Sequence, residues 1–263
     1  MTTALILAGK RDGLVDPLAE RAGVSHKCLV PVAGRPLIAH VLAALAAAPH
    51  VRRILISIDD PAPLAAVAEV RDGLAQGRVA IVPARANIVD SVADAAAGAP
   101  FPLLVTTADN VLIDPAALAE IDMAARTMAA DVAVAFTRRA SVLAAHPDGQ
   151  RRFYRFSDDA YSNCNAYWLG SPRALAAAEV FRQGGQFAKH PLRIVRAFGI
   201  LNLIRFRYGI GSLDAAFQRF SRRFGAAIRP VILTNGAVAI DVDNPRTHAI
   251  AESLLTARNP QTA

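Results

Sequence analysis

Lysine is scarce in this 263-residue chain. Lys10, Lys27 and Lys189 are all there is, and every other residue among the 29 basic ones is arginine. Charged residues make up only 19% and hydrophobic residues 53%, which excludes a charge-extended disordered chain and leaves ample material for a core. There are two cysteines, Cys28 and Cys164, far apart and in no CxxC spacing. That excludes a disulfide framework or a Cys-rich zinc site. No stretch of about 18 apolar residues occurs, so no membrane-spanning helix is expected. Aromatics are few, at 6%, and no dense basic run is interleaved with them, which argues against nucleic acid as a partner. Repeats and low-complexity linkers are absent, and Met1-Thr2-Thr3 leads straight into an apolar run with no signal-peptide pattern. The expectation is one cytoplasmic domain.

What is present is a basic balance and a regular alternation. The formal net charge is +7 and the pI about 10.1. Either an Arg- and Ala-rich composition bias or a partner bearing phosphates accounts for it. Ala4–Leu7 is a short apolar run broken at Gly9, as for a strand buried on both faces. Further strands are expected at Arg53–Ile58, Val79–Val82, Leu103–Thr107 and Asp131–Thr137. Helices are expected between them, over Leu37–Ala48 behind Pro36, Pro63–Gly73, Ser91–Ala97 and Pro115–Ala129. Four such alternations predict a Rossmann-like α/β three-layer sandwich with a mostly parallel sheet and right-handed crossovers. Ligands of such sheets bind beyond the C-terminal strand ends. Gly9–Arg11, Asp59-Asp60, Ala84–Ser91 and Asp109 therefore fall on one rim.

After Thr137 the pattern loosens. Arg152–Phe156 alternates like a hairpin arm, with Asn165–Leu169 as its partner or as a return into the sheet. Helices are expected from Ser171 to Arg182, Leu192 to Phe206 and Ser212 to Phe224. Ile228–Ile232 and Val238–Val242 read as closing strands, followed by a helix from Pro245. Residues 1–137 are thus expected to form the first α/β half, 138–227 a lid-like α/β insertion, and 228–263 the closing elements of one domain.

Leu7-Ala8-Gly9 with Arg11, then Lys27 followed by Val32-Ala33-Gly34-Arg35-Pro36-Leu37, resembles the signature of the MobA-like nucleotidyltransferases. Asp241-Val242-Asp243-Asn244-Pro245 is similar to that family's C-terminal D-x-D-T-P segment. The second loop glycine is missing here, the gap to Lys27 is longer, and His26 replaces the proline before the lysine. The resemblance implies an Mg²⁺-dependent enzyme that moves NMP from an NTP, CTP first, to a phosphorylated small molecule. An alcohol phosphate or a sugar phosphate is the expected acceptor, and pyrophosphate is released.

By that resemblance Arg11 and Lys27 neutralise the triphosphate, while Leu7, Ala8 and Gly9 supply the backbone cradle. Asp109 and Asp243, with Asp241 beside it, hold Mg²⁺. Asn87 and Ser91 read the base and ribose. Tyr161, Asn163, Asn165 and Lys189 face the acceptor. Physical chemistry supports the outline, because attack on an α-phosphorus concentrates negative charge that positioned cations must offset. An ionised phosphate nucleophile needs no side-chain base. Plainer roles stand beside these: Ser91 as a helix cap, Asp243 as a cap before Pro245, residues 161–165 as an Asn-rich turn, and Arg11 and Lys189 as solvated cations. Other functions also stand open: a molybdopterin nucleotidyltransferase, a glycosyltransferase of similar fold, or a degenerate nucleotide-binding regulator. Residues 192–207 are both apolar and basic, which suits a helix on a membrane surface, the lid core or a homodimer face.

Overall fold

The computed structural model describes residues 1–10, 14–175 and 199–258. Arg11 and residues 176–198 lie outside the described residues; the latter include Lys189, most of the helix expected from Ser171 to Arg182 and the start of that expected from Leu192 to Phe206.

The first half builds the sheet as its apolar runs dictate. β1 (Thr2–Leu7), β4 (Val51–Ile58), β5 (Val79–Pro83) and β6 (Leu103–Thr107) are parallel neighbours. Between them run α2 (Leu37–Ala47), α3 (Ala68–Ala75) and α4 (Ile88–Ala97), and α5 (Pro115–Thr127) follows β6. A short helix α1 (Pro17–Arg21) is capped by Asp16, whose carboxylate accepts from the Leu18 amide. Before α2, Pro31–Val32 (β2) and Arg35–Pro36 (β3) form a tight hairpin. Its two turn residues, Ala33 and Gly34, both have positive φ, 46° and 74°, as a two-residue hairpin turn demands.

The second half completes the same sheet. β7 (Val132–Arg138), α6 (Arg139–Ala145), β8 (Tyr154–Arg155) and β9 (Ala160–Leu169) are followed by α7 (Ile200–Tyr208), α8 (Leu213–Phe224), β10 (Ile228–Leu233) and α9 (Pro245–Arg258). The strand order is β10-β7-β9-β6-β1-β4-β5, with β8 on β9. β9 is antiparallel to both β6 and β7, and the other long strands share one direction. Residues 160–169 are thus both the hairpin partner of β8 and a return into the middle of the sheet. The mixed sheet flanked by helices is the expected Rossmann-like α/β architecture.

The core lies on both faces of the sheet. Leu5, Ile6, Ile54, Ile56 and Leu104 are fully covered, each such side chain stabilising by about 1.5–3 kcal/mol. A third apolar cluster under α8 joins Phe136, Tyr161, Leu213, Phe217 and Ile228.

Three expectations need correction. Val238–Val242 is not a strand: Gly236–Ala239 is a 3₁₀ turn, capped where the Asn235 side chain accepts from the Ala237 amide. The turn is forced by packing against α6, since a Cβ on Gly236 would lie 2.0 Å from the Ser141 carbonyl. The helix expected to start at Ser91 starts at Ile88, because Asn87 takes the cap. The helix expected over 63–73 is split into a 3₁₀ turn, Ala62–Ala66, and α3.

Candidate active site

Parallel register puts three positions side by side. Leu7 pairs with Ser57 on β4 and with Thr107 on β6. Two residues beyond each lie Gly9, Asp59 and Asp109, at the C-terminal rim. The chain stays in register as it leaves the strands: the Ala8 amide donates to the Ser57 carbonyl at 2.9 Å and the Ala108 amide to the Leu7 carbonyl at 3.0 Å. Gly9 must be glycine for space, because an added Cβ would meet the Ala84 Cβ at 2.8 Å and Asp59 Oδ1 at 3.4 Å.

Lys27 sits in a 3₁₀ turn, Lys27–Leu29, and its side chain reaches the rim. Its Nζ donates to Asp109 Oδ2 and, at 2.8 Å, to Asp243 Oδ1. Burial alone would lower the ammonium's pKa, but the charges and hydrogen bonds of Asp109 and Asp243 outweigh it and hold the group above its ordinary value. Lys27 thus meets two carboxylates that lie 82 and 216 positions from it in sequence. The hairpin after Lys27 is locked in turn: His40 Nε2 and His248 Nε2 hydrogen-bond the Val32 and Pro31 carbonyls at 2.9 and 2.7 Å.

The Asp241–Asp243 segment is fixed from several sides. The Val242 amide donates to the Asp109 carbonyl at 3.1 Å, and the Asp243 amide donates to Thr247 Oγ1 at 2.9 Å. With no strand here, the two carboxylates do not point alike, contrary to the alternation expected. Asp241 is buried, whereas the Asp243 side chain is 64% exposed. Asp241 Oδ2 accepts from Asn165 Nδ2 at 2.7 Å. Burial, then the charges of Asp109 and Asp243, push the Asp241 carboxyl well above the usual range, against the opposing pull of Lys27 and Asn165.

Asp109 Oδ1 and Asp241 Oδ1 are buried and have no hydrogen-bond partner among the described residues. Orphaned oxygens on two carboxylates that sense each other's charge fit a hard divalent cation, which takes few protein ligands and keeps waters and phosphates. No group of three or more His, Cys, Asp or Glu is gathered in metal-holding geometry among the described residues. Asp109 and Asp243 are instead drawn together by the Lys27 ammonium.

The remaining expected residues fall in different places. The Asn87 side chain accepts from the Asp90 amide at 2.9 Å and its Nδ2 donates to the Asp90 carboxylate. Ser91 is buried, its Oγ accepting from the Arg85 amide at 2.8 Å and donating to the Asn87 carbonyl at 3.1 Å. Both side chains shape the loop after β5. Tyr161 lies in the cluster under α8, and its hydroxyl donates to Asp158 at 2.9 Å. Burial and Asp158 push that phenol up to about 12. Asn163 Oδ1 accepts from the Asn165 amide at 2.7 Å and from the Tyr167 hydroxyl at 3.3 Å. Asn165, at φ 46°, stands on a bulge where three residues of β9 oppose one of β7. Of the three expected acceptor residues among the described ones, the structure brings Asn165 to the carboxylates.

Two contributors went unassigned in the sequence. Asp59 Oδ1 accepts from the Lys10 amide at 2.9 Å and lies 3.3 Å from Nε2 of the buried His26, whose Nδ1 is 2.9 Å from Ser25 Oγ. This clamp ties the loop after β1 to the residue before Lys27. Burial alone would raise the Asp59 carboxyl, but the Lys10 amide and its own amide, with His26 and Lys10, hold it below its ordinary value. The signal was legible: Asp59, like Asp109, is a carboxylate immediately past a buried strand. Asn110 is the second. Its Nδ2 donates to the Cys164 carbonyl at 2.8 Å and to Thr106 Oγ1 at 3.2 Å, which anchors the bulge carrying Asn165.

The chain is similar to known proteins in sequence and in fold. The family model described as the MobA-like NTP transferase domain matches residues 4–197. A hypothetical transferase from Thermus thermophilus is 25% identical, with 94% of this chain and 99% of that one covered and a TM-score of 0.78. CMP:2-keto-3-deoxy-manno-octonic acid synthetase, solved with CTP, is 13% identical over 98% of this chain and 100% of its own, with a TM-score of 0.62. A 4-diphosphocytidyl-2C-methyl-D-erythritol synthase from Anaerococcus prevotii DSM 20548 is 11% identical over 97% and 96%, with a TM-score of 0.58. These last two share the fold. A search of curated proteins finds no match. The family model spans most of the chain, and it shows that this chain belongs to the MobA-like NTP transferase family and is a nucleotidyltransferase.

Proposed function

We propose that the chain transfers NMP from an NTP, with CTP placed first, to the phosphate of a small phosphorylated alcohol or sugar, in an Mg²⁺-dependent reaction. The observation that carries this reading is the meeting of Lys27, Asp109 and Asp243 at the C-terminal rim, beside the Gly9 loop. Two fold neighbours are named for cytidylyl chemistry, which is why CTP comes first.

In this reading an acceptor phosphate oxygen attacks the α-phosphorus, a new P–O bond forms, and the bond to pyrophosphate breaks. The backbone at Ala8–Lys10 approaches the phosphates closely because Gly9 has no side chain. Lys27 supplies positive charge to the triphosphate, and Asp109, Asp243 and Asp241 would hold Mg²⁺. The metal, when bound, neutralises charge building on the phosphoryl oxygens. Asp59 and His26 keep the loop after β1 and the Lys27 turn in fixed relation. Arg11 would add a second cation to the triphosphate.

The test is pyrophosphate release over four NTPs and a panel of phosphorylated acceptors with Mg²⁺. Asp109→Ala is expected to lower turnover by at least about 100-fold while the fold is retained. NTP binding without release for any pair would overturn the reading in favour of a nucleotide-binding regulator. Release of a nucleoside diphosphate from a sugar nucleotide would overturn it in favour of a glycosyltransferase.

A further inference from the structure

The part of the surface that the nucleotidyl-transfer site does not use is most unusual at α7 and α8. α7 presents Ile200, Ile204 and Tyr208 at exposures of 59%, 44% and 72%. Those positions are spaced i, i+4 and i+8, so they form one stripe along the helix. Leu201 and Ile210 are exposed beside it. A soluble helix ordinarily turns such a stripe inward; here it faces outward.

Beside it lies a depression whose charged residues are all arginine, with the one acidic residue of α8, Asp214, back in its first turn. α8 buries Leu213, Ala216 and Phe217 and carries Arg219, Arg222 and Arg223 at i, i+3 and i+4. With Asn202 and Arg205 of α7 these line a shallow depression of about 550 Å³. The Arg207 guanidinium stands 5.7 Å from the centroid of the Tyr208 ring. Burial and the nearby Arg205 and Arg222 hold the Arg219 guanidinium below its ordinary value, so the arginines repel one another.

We propose that this face docks on an anionic lipid bilayer, with the aliphatic stripe inserted at the headgroup boundary and the arginines on the lipid phosphates. Charge complementarity selects the occupant. A second copy of the chain related by a two-fold axis would set arginine against arginine. Nucleic acid would match the charge and leave the aliphatic side chains without a partner. An anionic bilayer takes both, and tyrosine beside arginine suits its interface. The face is tied to the strand that serves the active site: the Ser157 amide donates to the Gly211 carbonyl at 3.0 Å, and the Leu213 amide to Asp158 Oδ1 at 3.2 Å, just ahead of β9.

The test is flotation of the full chain with phosphatidylcholine vesicles, with and without about 30% phosphatidylserine, at about 0.1 M and 0.5 M salt. Binding to the anionic vesicles alone, weakened by salt, is expected. Arg219→Gln with Arg222→Gln should lower partitioning about 25-fold, at about five-fold per arginine. Ile200→Ser with Ile204→Ser should weaken binding and leave its salt dependence intact. Unchanged circular dichroism and unchanged pyrophosphate release identify folded variants; if the arginine pair fails this check, Arg222→Gln with Arg223→Gln replaces it. Equal binding to neutral vesicles, no binding, or binding indifferent to both variants overturns the proposal. Arginine-dependent binding of an acidic peptide or inorganic polyphosphate without vesicle binding also overturns it.

Discussion

Replacing Lys27 with methionine keeps the stem and deletes the ammonium. In the structure the Lys27 side chain is 23% exposed, and its ammonium holds the side chains of Asp109, 16% exposed, and Asp243, 64% exposed. A largely covered, charge-assisted hydrogen bond contributes about 1.5–3 kcal/mol. The arm to the exposed Asp243 adds less than about 1 kcal/mol. Lys27→Met should therefore cost about 2–3 kcal/mol in metal-free buffer, which for a chain of this size lowers Tm by about 5–10 °C. A divalent cation should then restore what the ammonium supplied. At a concentration ten times its Kd, Mg²⁺ would return about 1.4 kcal/mol to the variant. The wild type should gain less, because its own cation already stands between the carboxylates. Thermal melts with and without Mg²⁺, repeated on Lys27→Met with Asp109→Asn, measure this. A variant within about 1 °C of wild type without metal would refute the reasoning. So would an equal Mg²⁺ response in both proteins.

Asn165→Asp removes the donor to Asp241 and adds a carboxylate to the acidic cluster; it should destabilise the metal-free protein by about 2–4 kcal/mol and increase its Mg²⁺ response in the same melts. Gly9→Ala should cost about 1–3 kcal/mol by forcing its Cβ against Ala84 and should raise the KM for nucleotide, with Ala84→Gly restoring both in denaturation and kinetic assays. Asp122 is a pH-dependent stabiliser: burial alone would raise it, but Arg126, Thr2 and Trp168 lower it to about 2 from 3.8. A depressed carboxyl contributes stability above its unfolded value and loses it as pH falls from about 4 to about 2. With solvent screening allowed for, the contribution is about 1–2 kcal/mol, so urea unfolding of Asp122→Asn should show that loss at pH 7 and a shallower decline between pH 4 and 2.

The first half of the fold was legible because apolar runs ended by glycine or aspartate mark strands whose far ends share a rim. Lys27 and Asp109 stood out through scarcity and position. The 238–242 segment was not legible, because its apolar alternation matches a strand while the lack of room at Gly236 makes it a turn. The orientation of Asp241 followed the same misreading. Asn165 was singled out, but its engagement with Asp241 depends on a bulge, and no local pattern announces one. The cap at Asn87 was equally hidden, since Asn87 and Ser91 both suit a helix start and only packing chooses between them.

The placement of β9 has a consequence for how the chain assembles. β6 and β7 follow each other in sequence yet do not pair, because β9, made later, lies between them. Until residues 160–169 arrive, β6 is an open edge and β7 has no neighbour on that side. Sheet closure therefore waits on a late strand that must enter between two earlier ones, a step slowed by long sequence separation and exposed to edge-to-edge aggregation. A chain stopped before β9 would hold most of the C-terminal rim and an unprotected hydrogen-bonding edge, and would be recovered as aggregate. The strand that positions Asn165 against the carboxylates is thus also the one that seals the sheet, so the acidic site cannot be assembled before folding is nearly complete.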